Sequence, residues 1–295
     1  MPGQVALRAV PVFVPPSPGG ATHLFQSGAV QAAASFSRAS TAWLDFTPFV
    51  TDVPRINGDD AILIEPAATN VLLQSEDLTV SPWVPKTVGR TSYISGGPGN
   101  QSYCRLSGSR PDDRVEQSVT YAAGTTYTVS LFVKAGTASS SRLRCYDNSA
   151  DNDCAITWSG GVPSAVPTVG TVIITADANG WYRLQWTFTA GGTGTTPYGF
   201  QVSPSTSGSA TMDVAKPQIE VGSSATSYIP TAASAVTRAA DVLSYTPPVA
   251  QDIKLTGTSA DGTVYTAGSP LVYAGQATEW TCPAGLWTEI WAEAA

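Results

Sequence analysis

The sequence predicts an all-β protein. The expected architecture is a jelly-roll β-sandwich with an extended N-terminal arm and a small C-terminal β region. Three observations predict it. Short runs rich in Val, Ile, Thr and aromatic residues recur from about residue 79 to 245, each bounded by Gly, Pro or Asn. No amphipathic window of helical period competes with them. Charged residues make up only 13% of the chain, and Ser, Thr and 27 Gly take their place. A quarter is usual for charge, and Thr with the β-branched residues suits a pleated surface.

Each segment has its own grounds. Residues 1–35 read as an extended anchoring arm. Val5–Val10 and Val12–Phe13–Val14 alternate, then PPSPGG bars a helix. Residues 36–245 form the sandwich, including a lead-in over 36–78. In that lead-in Ala61–Glu65 is a strand ending at Pro66, and Asn70–Leu73 is a second apolar segment. Further strands are expected at Thr126–Val133, Arg142–Tyr146, Thr171–Thr175 and Trp181–Phe188. Ala178–Asn179–Gly180 and Gly191–Gly194 are turns between strands. Pro247–Pro248 reads as a linker into a C-terminal docking or oligomerisation region, 246–295. Short strands are expected there near Asp252–Leu255, Thr263–Tyr265 and Thr278–Trp280, and LWTEIWAEAA reads as a strand or a short helix. Trp280, Trp287 and Trp291 are expected to pack that region's small core or dock it on a neighbour.

Composition excludes several functions. The net charge is −7, and no basic run exists to hold a phosphate backbone, so nucleic acid is not an expected partner. The N-terminal apolar run is broken by Arg8 and prolines, unlike a secretory signal, and no stretch reaches the ~20 apolar residues of a membrane span. Synthesis in a bacterial cytoplasm is expected, without membrane insertion. Of the four cysteines, none forms a CxxC pair, and the single His23 cannot complete a zinc cluster with them. No metal and no cofactor are expected. A Cys145–Cys154 disulfide across YDNSADND stays open beside the alternative of free buried thiols.

A series of motifs then resembles one family. Ser37–Arg38–Ala39–Ser40 and Val53–Pro54–Arg55 look like its "TRAS … VPRF" lead-in. Ile64–Leu78, read as IEPAATNVLLQSEDL, resembles its "EPxxTNLLLNSEDF" segment. Leu131–Gly136 is similar to a "VYVKAG" strand, Gly180–Arg183 to "GWYR", and Pro217–Gly222 to "xQLExG". TSYIPTAASAVTRAAD, at 226–241, completes the order. Ala67–Ala68 and Lys216–Pro217 depart from the pattern, and residues 1–35 and 246–295 fall outside it. The family is that of phage or phage-like particle tail-fibre and head-spike proteins with a carbohydrate-binding-module-like jelly roll. The resemblance implies a virion-surface protein that binds host cell-surface polysaccharide. It also implies contact with other capsid, tail or spike proteins and a homo-oligomer, a trimer or pentamer. An adaptor or spike base that binds no sugar is the alternative, and a capsule depolymerase a weaker one.

Sugars are held by aromatic rings on their CH faces, with carboxylates, amides and arginines on their hydroxyls. Two clusters carry that mixture. One is Arg110, Asp112, Asp113 and Arg114, with Glu116 nearby. The other is Arg144, Tyr146, Asp147, Asp151, Asn152, Asp153 and Trp158, with Arg142 beside it. On a jelly roll both reach a common concave face. The competing reading is solvated loops plus a core Trp158. Asp147, Asp151 and Asp153 raise calcium, but no complete D-x-D-x-D-G loop is present. Asp112, Asp113, Glu116 and Asp151 would be the acids of a glycan-cleaving pair, and a Ser–His–Asp triad would need His23 from the arm. No catalytic residue is expected, and the chain reads as a non-enzyme.

Overall fold

The structure, a computed structural model, describes residues 22–294 apart from 27, 32, 45, 46, 111 and 203–208. It is all-β. Among the described residues only two single-turn 3-10 helices occur, Pro98–Asn100 and Ala178–Gly180. No helix among them is long and apolar enough to cross a membrane. The chain divides into two compact units: Ala68–Arg238, and the flanking residues up to Ala67 together with those from Ala239.

The first unit is the sandwich. Its strands are β1 (Val84–Lys86), β2 (Gly89–Ile94), β3 (Tyr103–Gly108), β4 (Arg114–Tyr121), β5 (Thr126–Ala135) and β6 (Ser140–Tyr146). They continue as β7 (Asp151–Ser159), β8 (Val162–Pro167), β9 (Thr171–Ala176), β10 (Tyr182–Thr189), β11 (Gly194–Gln201) and β12 (Ala210–Val221). Two six-stranded sheets result, β2-β3-β12-β5-β10-β9 and β8-β7-β6-β11-β4-β1. The central strands alternate between sheets as the chain proceeds, so that β4 pairs β11 while β5 pairs both β10 and β12. This nested antiparallel order is a jelly roll. Between the sheets lie Val115, Leu131, Leu143, Leu184, Trp186, Phe188, Tyr198 and Phe200, all buried. Period-two patterning produces this: β4 reads half-buried then buried from Arg114 to Gln117, and β6 does the same from Arg142 to Cys145.

The two ends of the sandwich are tied by family-like motifs. Asn70 donates from Nδ2 to the Ile229 carbonyl at 2.9 Å, and its Oδ1 accepts from the Leu72 and Ile219 N–H groups. Thr231 Oγ1 donates to the Leu72 carbonyl at 2.6 Å, and the Tyr228 hydroxyl pairs with Ser75 Oγ at 2.6 Å. Val236–Arg238 then pairs antiparallel with Ala68–Asn70. The segment from Thr226 thus fastens the sandwich shut, and Asn70 is a fully used turn amide.

The second unit redraws the expected boundaries. Thr22–Gln26, inside the expected arm, is a strand on Gly285–Ala294, with Leu24 and Phe25 fully buried. Residues 1–21 of that arm lie outside the described residues. The lead-in up to Ala67 does not join the sandwich. Its strand Ile62–Ile64 also pairs with Gly285–Ala294, which is a strand throughout. Pro247–Pro248 is no linker between bodies: Val242–Tyr245 before it and Gln251–Ser259 after it belong to one unit, and Tyr245 Oη donates to Gln251 Oε1 at 2.8 Å. Trp280 and Trp287 sit in the core of this unit with Ile253, Leu255 and Ile290. Four motif charges hold it together. Arg38 Nη1 meets Asp241 Oδ1 at 2.9 Å, Arg55 Nη1 meets Glu65 Oε2 at 2.6 Å, and Arg55 Nη2 binds Asp241 Oδ2. Arg38 also donates to the Ser40, Phe49 and Val50 carbonyls.

Candidate functional site

Alternation along β4, β6, β7 and β11 turns every second side chain away from the core. On β4 this exposes Arg114 and Glu116, on β6 Arg142, Arg144 and Tyr146, on β7 Asp151 and Asp153, and on β11 Pro197 and Gly199. Register aligns them across the sheet. Glu116 stands opposite Gly199, and Gly199 opposite Arg144, which in turn faces Asp153. Gly199 contributes no side chain to this row, so a slot opens between Glu116 and Arg144. A Cβ there would come within 2.6 Å of the Val115 carbonyl oxygen and 3.0 Å of Glu116 Cβ. The result is a groove of about 230 Å³ lined by Arg114, Glu116, Arg144, Tyr146, Asp151, Pro197 and Gly199.

The groove's charges are matched. Arg114 Nε donates to Glu116 Oε2 at 2.6 Å, and Lys86 approaches the other oxygen at 3.6 Å. Arg144 binds Asp153 through Nε at 2.9 Å and Nη2 at 3.3 Å, with Asp151 3.9 Å from its Nη1. Arg142 reaches the same Asp153 at 3.0 Å. The Asp153 hydrogen bonds push the Arg144 pKa further up, against the pull of burial, so the guanidinium is a fixed cation. The Asp151 side chain is 56% exposed, whereas that of Glu116 is 13% exposed and held by its cations. Tyr146 is 38% exposed and offers a ring beside Pro197. Gln201, opposite both Arg114 and Arg142, is buried, and no donor among the described residues reaches its Oε1. An aromatic ring, a proline, fixed donors and open acceptors in one groove can hold a hydroxyl-rich ligand.

The two candidate clusters are only partly brought together. Arg114, Arg144, Tyr146 and Asp151 line the groove, and Asp153 orients Arg144 from its edge. Arg110 and Asp112 are exposed on the turn ahead of β4, with the Asp112 carbonyl 3.4 Å from Arg114 Nη1. The other four are corrections, because each is buried by a structural task. Asp113 accepts from the Ser109 and Arg110 N–H groups and from the Thr87 hydroxyl. Burial alone would raise its pKa, but these hydrogen bonds lower it. Asp147 accepts from Ser149, Ala150, Gly191 and Asn152, which outweigh burial and hold its carboxyl far below the usual range. Asn152 is consumed by that contact. Trp158 packs against the core, its Nε1 donating to Ser141 Oγ at 3.1 Å.

Asp147 does not converge with Asp151 and Asp153. Among the described residues no group of three or more His, Cys, Asp or Glu could hold a metal ion. All four cysteines are free and buried. Cys145 lies opposite Asn152, and Cys154 opposite Leu143, so the two thiols are offset along their strands. Burial pushes the Cys154 thiol up to about 12 and Cys145 higher still. The polar stretch between them is also shorter than expected, because β7 already begins at Asp151.

Sequence reasoning did not place Pro197 and Gly199 in the site. A glycine facing outward in mid-strand signals a close approach or a missing wall, but only register shows which residues flank it. Comparison with protein-family models and with curated proteins finds no match. Among solved structures the chain is similar to the CBM22-1 xylan-binding domain of Paenibacillus barcinonensis Xyn10C. Identity is 14% and the TM-score 0.35, over 53% of this chain and 94% of that domain. The class that fold and site define is a jelly-roll sandwich with a polar, aromatic-edged groove on one sheet.

Proposed function

We propose that the sandwich is a glycan-binding module and that its groove holds cell-surface polysaccharide. The observation that carries this reading is the groove itself: an exposed Tyr146 beside Pro197, fixed guanidinium donors and an open Asp151 carboxylate, on one sheet of a jelly roll. In this reading the protein belongs to the surface of a phage or phage-like particle, and helps attach it to a host cell. The ordered motif series from Ser37 to Asp241 supports the particle role. Several copies, as a trimer or pentamer, would raise a weak single-site affinity by roughly 10²–10⁴ through avidity. The module is non-catalytic: it positions and does not cleave.

Adsorption to encapsulated and capsule-deficient bacterial cells tests the reading. Binding that needs the capsule is expected, and equal binding to both would sink it. Release of reducing sugar from capsule would overturn the non-catalytic part. The second reading, an adaptor or spike base, is favoured by one observation. Every motif residue traced above, including Asn70, Arg38, Arg55 and Asp241, serves the frame. Particles lacking the protein but retaining full capsule adsorption would favour that adaptor role.

A further inference from the structure

The groove's ion pairing goes further and bears on what kind of glycan fits. This inference rests on the glycan-binding reading above. We infer that the groove takes an uncharged oligosaccharide stretch and discriminates against uronate- or sialate-bearing chains.

The argument is one of charge closure. The lining holds two arginines, Arg114 and Arg144, and two carboxylates, Glu116 and Asp151. The cations around them are committed as well: Lys86 to Glu116, and Arg142 to Asp153. An anionic sugar entering here would have to displace Glu116 from a 2.6 Å contact or Asp153 from a two-bond contact with Arg144. The displaced carboxylate would then face the incoming one across the slot, and like charges side by side cost affinity. A hydroxyl needs no such exchange. It can accept from the spare N–H groups of an arginine that stays paired, and donate to the open Asp151 oxygens. Guanidinium has five donors, so pairing with one carboxylate leaves several unused. Tyr146 and Pro197 supply apolar surface for CH faces. The lining crosses four strands, roughly 14 Å at the spacing of paired strands, which suits a stretch of chain rather than one ring.

The test is titration of the full chain with two panels: neutral gluco-, manno-, galacto- and xylo-oligosaccharides, and oligogalacturonate with hyaluronan and sialyl-oligosaccharides. Binding to at least one neutral member, with little change between low and high salt, is the expected result. Binding confined to the anionic panel and lost in high salt would overturn this inference, yet leave glycan binding standing. Binding to neither panel would remove the glycan reading itself, and this inference with it. Glu116→Gln supplies a converse measurement. It removes one negative charge while keeping shape, so the groove becomes net positive, and measurable affinity for the anionic panel should appear. A variant that gains none would contradict charge closure as the basis of discrimination.

Discussion

The same chemical pair, arginine with carboxylate, does opposite jobs in two regions of this chain. Around Asp241 the guanidinium groups of Arg38 and Arg55 are sealed, with 0% of either side chain exposed. On the sandwich sheet Arg114 and Arg144 keep about a quarter of their side chains in solvent, at 27% and 25%. A sealed pair has already given up its water, so any loss leaves a buried charge alone. A half-exposed pair can exchange partners with little penalty, which makes it useful towards a ligand and of small worth to stability. Exposure, more than residue type, separates frame from site.

The largest effect should follow from breaking the sealed set. Asp241→Ala strands two buried guanidinium groups, and chemical denaturation should show a loss of about 3–5 kcal/mol. A loss within the range of surface substitutions would mean the pairs are not sealed. Next comes Asp147→Ala, which orphans donors on Ser149, Ala150, Gly191 and Asn152. A loss of about 3 kcal/mol is expected by the same measurement. Its pH counterpart has a definite sign. Asp113 and Asp147 titrate lower in the folded chain than in the unfolded one. Their contribution is therefore present above the unfolded carboxylate value of about 3.9 and is lost as pH falls below it. Denaturation midpoints should hold from neutral pH down to that region and then drop. A midpoint flat through strong acid would count against both assignments.

Gly199→Ala should act on both sides of the comparison. The new methyl meets the Val115 carbonyl oxygen at 2.6 Å, a backbone atom that cannot swing away. A cost of about 1–3 kcal/mol is expected, together with weaker ligand binding as the slot fills. Unchanged stability and unchanged binding would show that the slot is not built as described.

Much of the fold was legible because period-two alternation leaves a direct mark. Thr126–Val133, Thr171–Thr175 and Trp181–Phe188 were expected as strands, and the structure has β5, β9 and β10 there. The unit boundaries were not legible. Arg38, Arg55 and Glu65 lie far along the chain from Asp241, and no local pattern announces that their charges meet. Pro247–Pro248 reads as a linker only while the pairing of Gly285–Ala294 with Gln251–Ser259 and Ile62–Ile64 is unknown. In the site, facing was the hidden variable. Asp147 and Asp151 are equally acidic in sequence, but one is fixed by backbone N–H groups and the other stands open. Asp112 and Asp113 are adjacent, and only the second closes its turn.

The most direct measurement of the frame-and-groove distinction is a matched pair of titrations with the best-bound neutral oligosaccharide, on the native chain and on Tyr146→Ala. Thermal melts of both would be recorded beside them. With Tyr146 half in solvent, stability should differ by no more than about 0.5 kcal/mol. Affinity should fall by at least about tenfold as the ring platform is lost. Equal affinity at equal stability would contradict the placement of the binding surface on this sheet.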